Sequence, residues 1–258
     1  MISRTNLPAR LLSIALLLPA TGLLAQDISQ EAQNAPFETP ASIDDWTPGL
    51  TIGTDFQTEI VKYGQSMTNG KPAAYLFASP YYGPFYMNFS WFNVDYGQDS
   101  SARSTSEYAI GIYKKIGKLG LGASTTYVDV SPDEDTNYWQ QDLQIDYDFA
   151  ERFSAEYLHT YTNNYSNSDV TYNNAEFGVN LKFDDKWSTK LSVGRSMYSD
   201  IFKDYNYHDL SVRYQMSDTY AFLLHHSGSG LKNTDCPVAG TCSNRVWLEL
   251  QIRNYFGK

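Results

Sequence analysis

The sequence predicts an all-β chain: a twelve-stranded antiparallel transmembrane β-barrel with short periplasmic turns and longer extracellular loops. Apolar and polar residues alternate with period two from Leu50 to Phe256, as they do in strands that face a different environment on each side. Most alternating segments run 10–13 residues, near the roughly 9–11 that a tilted strand needs to cross a bilayer. Tight turns and longer polar connections alternate between them, which is the outer-membrane barrel pattern.

The segments fall at 50–61, 72–81, 85–94, 106–116, 119–130, 137–149, 153–163, 171–183, 186–197, 206–216, 219–227 and 245–256. In the first, Leu50, Ile52, Phe56 and Ile60 share one face, and Thr51, Gly53, Asp55, Gln57 and Glu59 share the other. Residues 138–149 are the cleanest: Trp139, Leu143, Ile145, Tyr147 and Phe149 alternate against Gln140, Asp142, Gln144, Asp146 and Asp148. In the last, Val246, Leu248, Leu250, Ile252 and Phe256 oppose Arg245, Glu249, Gln251 and Arg253. The turns at Tyr82-Gly83-Pro84, Gly117-Lys118, Ala150-Glu151-Arg152, Asp184-Asp185 and Ser217-Asp218 are tight, whereas 62–71, 95–105 and 228–244 are long and polar. An even strand count returns the chain to its starting side, so every tight turn falls on the periplasmic side. Phe85, Phe149, Phe153, Phe183, Trp187, Tyr220 and Phe256 lie beside the tight turns, and Trp91, Tyr108, Tyr127, Trp139 and Tyr161 lie toward the long loops. Two such groups match the aromatic girdles of a membrane barrel. A soluble barrel or sandwich is the competing fold, but side chains alone would not fill so wide a barrel with a dry core.

Composition narrows the function classes. The 258 residues carry 29 acidic and 19 basic side chains, for a net charge of -10, which argues against a nucleic-acid partner. Mean hydropathy is -0.44, too low for a bundle of membrane helices. The 21 Tyr, 13 Phe and 5 Trp are too many for a disordered chain.

The chain divides into residues 1–25, 26–47 and 48–258. Arg4 and Arg10 precede an apolar run from Leu11 to Leu18, and Leu23-Leu24-Ala25 offers a cleavage point before Gln26. Residues 1–25 therefore read as a secretory signal peptide, the apolar run being short of the roughly 18 residues of a spanning helix. Their removal takes away two Arg and no acid, moving the net charge from -10 to -12. Residues 26–47 are acidic, hold Pro36 and Pro40, and show no periodicity; they read as a flexible periplasmic leader with Trp46 as an interface anchor. The expected compartment is the bacterial outer membrane. Cys236 and Cys242 are the two cysteines, and in an exported chain they are expected to form a disulfide. No metal site and no cofactor is expected.

Residues 51–113 contain recognisable text. Thr54-Asp55-Phe56, Tyr63-Gly64-Gln65-Ser66 and Gly70-Lys71-Pro72-Ala73 resemble the opening motif of the TorF-type putative porins. Gly83-Pro84-Phe85-Tyr86, Trp91, Asn93-Val94-Asp95 and Glu107-Tyr108 continue the similarity. That family commonly has Arg-Gly where this chain has Tyr63-Gly64, with Lys62 just before. The resemblance covers about a quarter of the chain. It implies a Gram-negative outer-membrane barrel with a pore role, and it supplies no substrate or catalytic residue.

If the apolar face meets lipid, the polar face lines a lumen. The lumen-lining acids are then Asp55, Glu59, Glu107, Asp142, Asp146, Asp148, Glu156, Glu176, Asp209 and Glu249, and the bases are Lys115, Lys182, Lys190, Arg213, Arg245 and Arg253. An acidic lining favours cations. Asp146, Glu156, Lys190, Arg213 and Arg253 sit about three positions from the periplasmic strand ends. They are compatible with opposed charged walls that orient solutes, or with a salt-bridged network that braces the lumen. Lys114 and Arg195 point outward, where both can snorkel to headgroups and Arg195 can meet lipopolysaccharide phosphates.

The expected function is a porin-like channel for passive diffusion of small hydrophilic solutes, weakly cation-preferring. The expected partners are those solutes, outer-membrane lipid and lipopolysaccharide, and the barrel-insertion machinery that reads the last strand. One alternative is a closed or narrow barrel acting as a surface-binding or structural protein. Another is an outer-membrane phospholipase using Ser227 beside His225-His226, but adjacent strand residues point to opposite faces, so Ser227 and His226 cannot pair simply. No catalytic residue is expected.

Overall fold

The computed structural model describes residues 46, 48–97, 100–199, 202–232, 235–236 and 241–257. The expected signal peptide and nearly all of the expected leader lie outside the described residues. The chain runs β1 (Pro48–Gln57), β2 (Val61–Lys62), β3 (Gln65–Ser66), β4 (Ala73–Tyr82), β5 (Phe85–Asn93), β6 (Ser104–Ile116) and β7 (Leu119–Ser131). A single 3-10 turn, Glu134–Thr136, leads into β8 (Tyr138–Ala150), β9 (Phe153–Tyr165), β10 (Val170–Lys182), β11 (Trp187–Tyr198), β12 (Tyr205–Gln215), β13 (Tyr220–Ser229) and β14 (Arg245–Phe256). Each long strand pairs antiparallel with its sequence neighbour, and β1 pairs with β14 to close a twelve-stranded barrel; β2 and β3 form a separate two-stranded ribbon.

Closure leaves no unpaired strand edge, which a bilayer demands because it offers backbone groups no water. Period-two alternation does the rest. Along β5 the exposure pattern switches at every residue, with Phe85, Met87, Phe89 and Trp91 outside and Tyr86, Asn88, Ser90 and Phe92 buried. The same inversion holds along β6, where Tyr108, Ile110 and Ile112 are exposed while Glu107, Ala109 and Tyr113 are buried. An exposed apolar outer surface around a buried polar interior is the arrangement of a membrane-embedded barrel. This is the fold of a bacterial outer-membrane protein.

Aromatic runs stand at both ends of the barrel. At the loop end Phe89, Tyr108, Tyr127 and Trp139 stand on four consecutive strands with successive ring centroids 6.2, 6.5 and 5.0 Å apart. At the turn end Tyr147, Phe149 and Phe153 form a second run. Trp46 packs 5.5 Å from Tyr82 and 6.2 Å from Phe85, over Gly83, which seats it on that lower band.

The first strand departs from the expected 50–61. It ends at Gln57, and Ile60 is buried rather than facing outward. Past Gln57 the chain turns in, and Ile60 joins Ala73, Phe92, Val94, Ala102, Val128 and Val130 in an apolar cluster. The loop end is also uneven. Residues 166–169 join β9 to β10 in four residues, with Ser166, Asn167 and Asp169 at positive φ. The expected disulfide joins Cys236 to Cys242 across a Cα–Cα distance of 6.0 Å in the connection before β14.

Many tyrosines lie inside rather than at the interfaces. Tyr86, Tyr113, Tyr172, Tyr205 and Tyr207 are all buried. Several inward rings lie flat over glycines on the paired strand: Tyr86 over Gly111 and Tyr207 over Gly194 are cross-strand partners, and any Cβ on either glycine would overlap the ring. Ring-over-glycine pairs of this kind pin register.

The closing seam is held by a buried ion pair. Arg253 on β14 takes Asp55 on β1 with both guanidinium arms, while its planar group stacks 4.6 Å above the Phe77 ring. Removing one partner of a buried pair costs roughly 3–5 kcal/mol. Arg253→Ala should therefore lower the temperature at which the folded form is lost in heat-modifiability gels. The double variant Asp55→Asn with Arg253→Met should recover much of that loss, and equal losses in the two variants would count against the pair as the brace of the seam.

Candidate functional site: the inner wall and the inward hairpin

The inner wall is a set of short-range partnerships. Glu59 accepts from Arg245 at 2.6 Å and from the Gly70 amide at 2.9 Å. Lys62 donates to Glu107 at 2.7 Å, and Ser90 adds a hydroxyl bond to the same carboxylate. Lys190 pairs with Glu156 and lies 4.0 Å from Glu176, which also accepts from the Tyr207 phenol at 2.8 Å. Arg213 donates to Gln251 at 2.7 Å and to Gln215, and Gln251 in turn donates to Glu249. His225 faces Glu249 at 3.3 Å and stacks on Trp247 at 4.8 Å. Asp142 and Asp146 are held by hydroxyls, from Thr160 at 2.7 Å and from Tyr113 at 3.0 Å.

Asp55, Glu59, Glu107, Asp142, Asp146, Glu156, Glu176, Glu249 and Arg253 are all buried, and Lys190, Arg213 and Arg245 are half-buried. In a closed sheet whose other face is exposed and apolar, these positions lie within the barrel. Asp146 and Glu156 are direct cross-strand partners. Glu156 on β9 and Lys190 on β11 meet across β10 because Gly178 stands between them, and a Cβ there would press on Glu156 Cγ at 2.9 Å and Lys190 Cε at 3.1 Å. Of the turn-end charges, Asp146, Glu156 and Lys190 are thus neighbours, while Arg253 pairs with Asp55 and Arg213 bonds Gln251 and Gln215.

Lys115 reaches Asp148 at 2.6 Å and Lys182 reaches Asp185 at 3.3 Å, both near the tight turns. Outside the barrel, Arg195 pairs with Asp204 at 3.1 Å. The Tyr198 amide, and after it the Arg195 guanidinium, hold the Asp204 carboxyl below the usual range. Arg195 therefore has an internal counter-ion at the position where a lipopolysaccharide phosphate was expected. Ser227 donates its hydroxyl to the His208 carbonyl at 3.0 Å, and the ring 5.4 Å from His226 is that of His208. Nothing in this arrangement activates Ser227 as a nucleophile.

The feature absent from the sequence reading is the hairpin β2–β3. The 58–72 connection does not extend outward as a polar loop. It folds in, and Tyr63 and Gly64 form its two-residue tip, both at positive φ (53° and 73°). A mirror-image hairpin turn needs that geometry at both tip positions. Tyr63 packs 6.3 Å from Tyr172 and 5.6 Å from Tyr207. A Cβ on Gly64 would meet the Gly228 carbonyl and Tyr207 Cβ, each at 2.9 Å. Lys62 lies over the Phe92 ring at 4.5 Å and bonds Glu107. Contacts thus reach β5 and β6 on one side and β10 and β12 on the other. The buried Thr68 takes the Ile60 amide, and Ser66 N–H donates to the Thr241 carbonyl, tying the base in place. An Xaa-Gly pair in a polar stretch signals such a turn, but not the direction in which it folds.

No family model matches the chain, and no curated protein matches it by sequence. Solved structures do match its fold. The NanC porin is 7% identical with a TM-score of 0.55, the match covering 81% of this chain and 99% of that one. A KdgM porin in complex with disordered oligogalacturonate is also 7% identical, with a TM-score of 0.52 over 81% and 98%. The likeness is one of architecture: a twelve-stranded barrel of outer-membrane channel type.

Lys190→Met should expose the cost of the bridging network. It leaves Glu156 and Glu176 buried beside each other without their shared cation, so thermal stability of the folded band should fall by an amount on the scale of 3 kcal/mol. Glu156→Gln added to Lys190→Met should restore part of it.

Proposed function

We propose that the protein is a narrow outer-membrane channel for passive diffusion of small hydrophilic solutes, constricted by the inward hairpin. The observation that carries this reading is the position of Tyr63. It stands at the tip of a two-residue turn that reaches from β1 and β4 to the rings of β10 and β12. Positive φ at a bulky residue costs of order 1–3 kcal/mol and persists where surrounding contacts impose it. Around the hairpin the wall is charged and hydrogen-bonded, so water and small polar solutes are the natural occupants of whatever space remains. The cation preference is weak and rests on Asp142 and Asp146, whose carboxylates are held by hydroxyls while most other inner acids have a basic partner. The site chemistry favours transport over catalysis, since Ser227 is committed to a backbone carbonyl.

The TorF-type resemblance fits this reading, because Tyr63-Gly64-Gln65-Ser66, the second block of its motif, forms the hairpin tip and its second strand. In the same reading the apolar belt meets outer-membrane lipid and lipopolysaccharide, and β14 is the strand presented to the insertion machinery. Residues 1–25 are removed on export, so the N-terminus of protein from outer membranes should read from Gln26.

A closed barrel is the second reading, favoured by the burial of the paired inner charges, with Asp55, Glu156 and Arg253 each only 4–7% exposed. Planar-bilayer recording of refolded protein separates the two. The channel reading expects small single-channel currents that grow when residues 61–66 are replaced by a short Gly-Ser linker. A silent barrel in both forms would favour the closed reading. In a salt gradient the reversal potential should favour cations, and an anion-favouring potential would remove that part of the proposal.

A further inference from the structure

Above the hairpin, toward the loop end, lies a cavity of about 300 Å³ with nine aromatic residues among its lining. That volume is at the lower bound of small-molecule sites. Tyr138, Tyr165, Tyr172, Tyr198 and Phe202 make one wall, with neighbouring centroids 4.9–5.7 Å apart. Tyr63 forms part of its floor. Its charged lining is sparse: Lys62 and Glu107 neutralise each other at 2.7 Å, which leaves Asp133. Polar atoms are set among the rings. Thr105 and Gln65 sit against the phenols of Tyr96 and Tyr205 with their polar atoms buried, and Ser100, Thr136 and Gln140 add polar side chains to the lining.

We propose that this vestibule is a binding site for an uncharged saccharide of one or two rings. A pyranose ring offers what the lining asks for. Its C–H faces stack on tyrosine rings, and its equatorial hydroxyls can bond the phenols and the Ser100, Thr136 and Gln140 side chains among them. An anionic sugar would meet Asp133 and a cancelled Lys62, with no spare cation among the described lining residues to receive it. A plain arene would fill the apolar space but offer the polar side chains of the lining little to hydrogen-bond, and sites built to hydrogen-bond reject such analogues strongly. The inference rests on the channel reading, since the vestibule is the outer mouth of that lumen, but binding is measurable without current.

The test is calorimetric titration of refolded full-length protein in detergent with cellobiose, maltose, glucuronate and phenol as probes. One or both neutral disaccharides should bind more tightly than glucuronate and phenol. Tyr198→Leu and Tyr165→Leu should each weaken that binding about tenfold, as truncation of an aromatic anchor does. Gln140→Leu should weaken it while leaving phenol unaffected. Heat-modifiable migration verifies that each variant is folded. The proposal is overturned if neither disaccharide binds, if glucuronate or phenol binds better, or if folded tyrosine variants bind as the parent does. Disaccharide binding by a barrel that carries no current would support the vestibule and sink the channel reading alone.

Discussion

Everything in this molecule follows from the requirement that a chain crossing a bilayer satisfy its backbone hydrogen bonds internally. A sheet meets it only by closing on itself, and here β14 returns to β1 through an eight-residue register from Leu50–Phe256 to Gln57–Glu249. That join is the one pairing between strands far apart in sequence, and it carries its own buried anchor in Arg253 and Asp55. All other long pairings connect consecutive strands, so their order follows from chain connectivity alone.

Closure forces the second constraint. Every other side chain must enter a confined space, and this chain puts carboxylates, bases and tyrosines there. Charges in such a space are expensive unless partnered, and the wall answers with pairs that span one or two strands. Gly178 shows how local the solution is. Omitting a single Cβ lets Lys190 cross β10 to Glu156. Gly111 and Gly194 do the same for aromatic rings. The glycines that a strand reading would count as weak points are where the interior is fitted together.

The tyrosine excess takes on a different meaning in this light. The sequence places Tyr108, Tyr127, Tyr161 and Tyr220 at the membrane interfaces. The interface bands exist, but Phe and Trp supply much of them, and a large share of the tyrosines faces inward. There they cover glycines, receive the hairpin tip and line the vestibule. A phenol suits an interior that is neither dry nor open, since its ring buries area while its hydroxyl keeps a polar partner.

Alternation and turn spacing made the strand number, the strand faces and the pairing order legible, because a period of two is set by the local backbone and the environment on each side. Among the inner charges, Glu107, Glu176 and Arg253 were assigned inward by position alone, and all three are buried. Which of them meet was not legible, since partners such as Arg253 and Asp55 are separated by nearly the whole chain and meet only at closure. Nor was the inward turn of residues 58–72 legible. Period two ends at Gln57, and beyond it no local rule says whether a polar ribbon points to water or back into the barrel. Packing against Phe92, Tyr172 and Tyr207 decides that, and those rings come together only once the barrel has closed.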